Sequence, residues 1–185
     1  FFKLFKEHPR MVLAYFALGA IGAFYITALI LHIFLFLGKE MALGGFFSLS
    51  MLLVALAHFL TGKWVDKRGK KALIASGAIM TSLVWLGRFL AVEVGALFVL
   101  DVIDRIAGGM RGIPLEVLSF EKAIDGHSTG RALFFRETAI TLGEVFGILV
   151  LVILTLFNLP LKIAFIAATL VCLLPLLILK NGELE

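Results

Sequence analysis

The sequence predicts an all-α integral membrane protein with six transmembrane helices. Two observations predict this class. Of the 185 residues, 61% are hydrophobic and only 16% are charged, whereas soluble domains are about 45–50% apolar and about 25% charged. The apolar residues also form long runs near the length of about 20 residues that a helix needs to cross a bilayer. The bilayer is therefore the expected solvent of this chain.

The six apolar runs follow one another with short interruptions. Gly38 and the Asn158-Leu159-Pro160 turn are typical of the ends of helices. One domain, residues 1–185, is expected, with a cytoplasmic lead-in at 1–10, a basic cytoplasmic loop at 62–71 and a further cytoplasmic loop at 121–131. The runs that predict the helices are 11–37, 41–60, 72–91, 96–120, 132–157 and 161–179.

The cations predict the orientation of these helices. The lead-in, loop 62–71, loop 121–131 and the end of the last helix contain most of them. The intervening loops contain only Lys39, Lys162 and, at a helix end, Arg88. Because cytoplasmic loops are enriched in lysine and arginine, both termini are expected in the cytoplasm, with the chain in the plasma or inner membrane of the cell.

Loop 62–71 contains a motif in addition to its charge. Its sequence, GKWVDKRGKK, has the form G-x-x-x-D-[RK]-x-G-[RK]-[RK]. Gly62 is suited to end a helix, and Gly69 is suited to a turn with positive φ. The pattern resembles the loop between the second and third helices in each six-helix half of major facilitator superfamily transporters.

Two further stretches are similar to that family. The fourth helix contains Arg105 followed by Gly109, which is similar to an R-x-x-x-G stretch of the family. The fifth helix contains Gly143 and Gly147, a spacing that suits the close approach of two helices. The Gly-Pro pair that continues this motif in the antiporters of the family is replaced here by Ile148 and Leu149.

The resemblance implies a fold and a function. It implies one half-bundle of the major facilitator fold, which contains two inverted three-helix repeats, and it favours the C-terminal half of a twelve-helix transporter. The implied function is transport of a small-molecule substrate by alternating access, without enzymatic activity or a cofactor. The implied partners are the lipid bilayer and the other six-helix half, in the same chain or as a second copy, and no nucleic acid is expected.

The resemblance also implies a gate at the cytoplasmic side. Asp66 is expected to contact the start of the fifth helix when the transporter faces outward, where the candidate gate partners are Arg131, Arg136 and Glu137. The alternative is that Asp66 caps a turn in solvent while the cations only orient the loop and contact lipid headgroups. The gating motif comprises Gly62, Asp66, Lys67, Gly69, Lys70 and Lys71.

Charged residues within the fourth helix are the first candidates for a transport pathway. An ionisable group at the bilayer centre costs about 2.5–3.5 kcal/mol on insertion scales, so such groups face the bundle interior. Asp101 and Arg105 have the i,i+4 spacing of an ion pair. Asp104 is then expected to remain free for a substrate or proton. The pathway candidates are Asp101, Asp104, Arg105, Glu144, Tyr25 and His32, and the alternative is that these charges only orient helices.

Other classes of function are not favoured by the residues. The single cysteine, Cys172, forms no intrachain disulfide, and the scattered histidines indicate no metal site. Two alternatives to a transporter half remain. One is a membrane scaffold, assembly or sensor protein that keeps the fold without transporting, and the other is a natural six-helix protein that works as a homodimer.

Overall fold

A computed structural model describes residues 8–125 and 129–180. Within these ranges it describes only the backbone of 56–68, 119–125, 129, 131, 178 and 180. These ranges are helical and contain no strand. The helices are α1 (Pro9–Leu37), α2 (Glu40–Arg68), α3 (Lys70–Leu90), α4 (Val94–Asp125), α5 (Thr129–Leu156) and α6 (Ile163–Val171), which a 3-10 segment at Leu174–Lys180 follows.

Three of these helices, α1, α3 and α5, are long and apolar enough to cross a membrane. Helix α4 is equally long, but it contains four charged residues between Asp101 and Arg111. Helix α6 is short, and the apolar segment found in α2 is Glu40–Ala55. All six predicted helices are therefore present, while six membrane crossings stay a prediction for the chain as a whole.

Glycines end two of the helices. Gly38 follows α1 with a φ of 65°, as expected for a left-handed C-cap, and its N–H donates to the carbonyl of Phe34. Helix α2 continues beyond its expected end to Arg68, so the prediction that Gly62 ends this helix is wrong. Gly62 costs the helix about 0.5–1 kcal/mol relative to alanine but does not break it. The chain turns at Gly69 instead, where φ is 77°.

The last helix is shorter than predicted. It ends at Val171, and the chain continues as a 3-10 helix from Leu174. Pro175 explains the change, because proline lacks the backbone N–H that would continue the α-helical ladder. The turn before α6 lies where the sequence predicts it, with Asn158 at a φ of 52°.

Helices α1 and α5 approach each other most closely at glycines. A Cβ atom added to Gly143 would lie 1.9 Å from the carbonyl oxygen of Phe16, and one added to Gly19 would lie 1.9 Å from that of Ile140. A Cβ on Gly147 would also collide with α1. The small-residue spacing of Gly143 and Gly147 is thus confirmed as a helix contact.

The apolar core divides into two clusters along the bundle. The larger includes Phe24, Trp85, Leu97 and Phe165, and the smaller includes Leu115. Along α4, the charged segment from position 101 to position 111 therefore lies between the residues that contribute to the two clusters. The bundle surrounds this charged segment with apolar packing at both ends.

Candidate functional site

Four helices bring polar side chains to one buried carboxylate, Asp101. Its Oδ1 accepts hydrogen bonds from the hydroxyl of Tyr25 at 2.8 Å and from Nη2 of Arg88 at 3.4 Å. Its Oδ2 accepts from Nε of Arg105 at 2.9 Å and from the hydroxyl of Ser50. These donors lie on α1, α3, α4 and α2, so Asp101 connects the first four helices.

Arg88 pairs with two carboxylates in the interior. Its side chain is 0% exposed, and its Nη1 donates to Oδ2 of Asp104 at 2.9 Å. Its guanidinium carbon lies 4.5 Å from the ring centroid of Trp85. Asp104 is therefore paired, and the expectation that it remains free is wrong. The prediction that Arg88 lies at a helix end is confirmed. Its two ion pairs were missed, because they depend on how α3 packs on α4.

A π-helical stretch, Phe24–Leu29, interrupts α1 beside these charges. Phe24 packs in the apolar core, while Tyr25 contacts the ion pairs. The Tyr25 hydroxyl also accepts a hydrogen bond from Arg105, whose guanidinium carbon lies 5.2 Å from the Tyr25 ring centroid. Short π-helical segments within α-helices are frequent at functional sites, and this one positions a predicted pathway residue.

A cavity of about 310 Å³ lies between α1 and α4. Its polar wall is formed by Tyr25, Asp104, Arg105 and Arg111. Glycines keep it open, since Gly22 and Gly108 line it and a Cβ atom added to either would meet nothing within 4 Å. Three of the predicted pathway residues, Tyr25, Asp104 and Arg105, therefore border one space, and Asp101 lies directly behind them.

The other two pathway candidates lie elsewhere. His32 is buried against Phe36 and Phe165, with ring centroids 5.0 and 5.2 Å away, and its Nε2 has no hydrogen-bond partner. Glu144 is exposed on α5. Neither lines the cavity. A role for these two residues in the pathway stays a prediction.

The candidate gate is described in part. Arg136 on α5 pairs with Glu116 on α4 at 2.9 Å and lies 3.8 Å from Glu137. The two acids are 53% and 58% exposed, which limits the strength of these pairs. Glu116 is a partner that sequence reasoning missed, because the pairing depends on how α4 and α5 pack.

The basic loop motif contributes a turn to the structure. Gly69 separates α2 from α3, and Lys70 and Lys71 begin α3. The side chains of Asp66, Lys67 and Arg131, and the surroundings of Gly62, lie outside the described residues. The contact between Asp66 and the start of α5 therefore stays a prediction.

Comparison of the chain with protein-family models, with curated proteins and with solved structures gives no match. The resemblance to the major facilitator superfamily accordingly depends on the motifs of the sequence. Membership of that family is a proposal.

Proposed function

We propose that this chain is half of a secondary active transporter that moves a small solute across the membrane by alternating access. The observation that carries the proposal is the cluster of buried ion pairs beside the cavity between α1 and α4. Charges are costly within a membrane and are typical of substrate and proton pathways. Apolar packing alone would hold a scaffold together, so a scaffold has no need of four buried charges and the half-buried Arg105.

The pairing of the helices supports a half-bundle made of two related triplets. Helix α1 packs on α5, as α4 packs on α2. Helix α3 packs on α4, as α6 with its 3-10 extension packs on α1. Exchanging the first triplet with the second thus turns each of these pairs into another, and the pair of α3 with α6 maps onto itself. Inverted three-helix repeats produce this relation.

In the proposed mechanism, α1 and α4 face the other six-helix half across the pathway. The two halves rock about a solute held near the middle of the membrane, and the loop that contains Asp66 closes the cytoplasmic side. Asp104 and Arg105 border the cavity, so these two residues are placed to exchange contacts with a solute. The ion pairs with Arg88 and Asp101 hold them in position between cycles.

Labelling of the cavity from both sides of the membrane tests this function without knowledge of the solute. Gly22→Cys and Gly108→Cys are introduced separately into a Cys172→Ala background, since neither position has a neighbour within 4 Å of an added Cβ. A membrane-impermeant maleimide is applied to right-side-out and to inside-out vesicles. We expect both cysteines to react in both preparations, because the cavity opens to each side in turn.

Lys39→Cys, in the exposed turn between α1 and α2, reports the orientation of the vesicles. Reaction at positions 22 and 108 from one side alone, or from neither, would contradict alternating access. That result would favour a membrane scaffold or sensor that keeps the fold.

A further inference from the structure

We propose that the cavity between α1 and α4 binds a small solute with one negative charge, of the carboxylate class. The inference rests on the proposed function, because it names the class of solute that the transporter half would carry. It follows from the balance of charge in the ion-pair cluster and the cavity wall, and from the surroundings of Arg111.

The charges of the ion-pair cluster and the cavity wall do not cancel. Arg88 and Arg111 are buried and Arg105 is half-buried, and these three guanidinium groups accompany two buried carboxylates, of Asp101 and Asp104. Both carboxylates are already paired, Asp101 with Arg88 and Arg105, and Asp104 with Arg88. One positive charge is therefore in excess, in surroundings where an uncompensated charge is strongly unfavourable.

The excess charge belongs to Arg111. This side chain is 5% exposed, and its Nε and Nη1 make no hydrogen bond. In the described ranges, no ion pair joins it to a carboxylate. A buried guanidinium with two unused donor groups is suited to bind a carboxylate through parallel hydrogen bonds.

Arg111 is fixed beside the cavity by the packing of its helix. A Cβ atom on Gly77 of α3 would lie 2.8 Å from the backbone nitrogen of Arg111, so the two helices are in close contact at this point. Arg111 follows Asp104 by seven residues, about 10 Å along α4. The open surface of Gly108 lies between them, facing a cavity that Leu18 and Ile21 also line. An anionic head at Arg111 therefore leaves room for an apolar body.

The volume and the charge both favour a carboxylate. About 310 Å³ lies at the lower end of ligand pockets, which are about 300–1,000 Å³. A carboxylate carries one negative charge and balances the single excess cation, whereas a phosphate monoester carries about 1.5 to 2 negative charges at pH 7.

Benzoate and its uncharged isostere benzamide test the charge requirement. Each is added to the purified full-length protein in detergent at about 20–50 mM, a concentration suited to a weak ligand, and at equal ionic strength. Thermal unfolding is then followed. We expect benzoate to raise the Tm and benzamide to leave it unchanged. In Arg111→Met the affinity for benzoate should fall at least about ten-fold, and Gly108→Leu should abolish the shift by filling the cavity.

Stability without any ligand provides a second test. Arg111→Met removes the uncompensated charge, so we expect the Tm of the free protein to rise, whereas Arg88→Met should lower it by leaving two buried carboxylates short of a partner. If Arg111→Met lowers the Tm as much as Arg88→Met, Arg111 is structural and the proposal is wrong. An equal response to benzoate and benzamide, or a response to neither, also overturns it.

The two proposals fail in different ways. If benzoate binds and its binding depends on Arg111, but the cavity is labelled from one side alone, the anion site is supported and transport is refuted. If the cavity is labelled from both sides but benzoate does not bind, the transporter is supported and the anion site is refuted.

Discussion

Asp101 determines how the buried charges are connected. The sequence predicts its pairing with Arg105 from their i,i+4 spacing on one helix, and the 2.9 Å contact confirms it. The contacts with Ser50 and Arg88 join different helices and cannot be read from spacing. At the scale of the residue, therefore, contacts within a helix were predictable, whereas those that depend on the packing of helices were not.

Asp101→Asn should destabilise the protein strongly. It leaves Arg105 without its carboxylate partner and reduces the pairing of Arg88, and breaking a buried ion pair costs about 3–5 kcal/mol. The double substitution Asp101→Asn with Arg105→Gln should cost less than Asp101→Asn alone, because it also removes the Arg105 charge that the single substitution leaves without its carboxylate. The measurement is thermal and denaturant unfolding in detergent.

The exposed pair of Arg136 and Glu116 provides the control for this comparison. Arg136→Gln should cost less than about 1 kcal/mol, because Glu116 is 53% exposed to solvent. If Asp101→Asn proves as mild as Arg136→Gln, or if the double substitution is additive, Asp101 does not hold the four helices together.

The existence of the helices was more predictable than their ends and irregularities. A chain in lipid must satisfy its backbone hydrogen bonds within each segment, so long apolar runs predict helices directly. The extension of α2 to Arg68 was missed because charged residues do not break a helix. No proline or charged side chain indicates the π-helical stretch at Phe24–Leu29. The end of α6 was also missed, because the predicted run 161–179 continued past Pro175.

Gly143→Ala should weaken the contact between α1 and α5. The added Cβ would lie 1.9 Å from a backbone oxygen, so the helices must separate, and overpacking of this kind costs about 1–3 kcal/mol. Gly45→Ala in α2 is the matched control. Its Cβ meets nothing within 4 Å, and alanine favours the helix by about 0.5–1 kcal/mol. Unfolding midpoints in detergent distinguish the two variants, and equal midpoints would contradict the close contact.

At the scale of the whole molecule, the two triplets of helices correspond in their contacts, and the sequence does not reveal this correspondence. The two triplets of helices show no convincing sequence similarity, yet their pairings correspond when the triplets are exchanged. Packing of this kind depends on where small and large side chains lie on each helix, and many sequences satisfy it equally well. The cavity was partly predictable, because charged residues in an apolar run must face the interior. Its location between α1 and α4 depends on how the helices pack.

The orientation of the molecule rests on the loop charges and can be tested with two exposed positions. Lys39→Cys and Lys71→Cys flank α2, whose 29 residues extend about 43 Å and exceed the hydrocarbon thickness of about 30 Å. In a Cys172→Ala background, an impermeant maleimide should label position 39 from outside intact cells and position 71 only after permeabilisation, because the positive-inside rule predicts a cytoplasmic basic loop. Reversed labelling would invert the molecule and move the Asp66 loop to the outer side. Labelling of both positions in intact cells would mean that α2 does not cross, and the six-helix half-bundle would then be wrong.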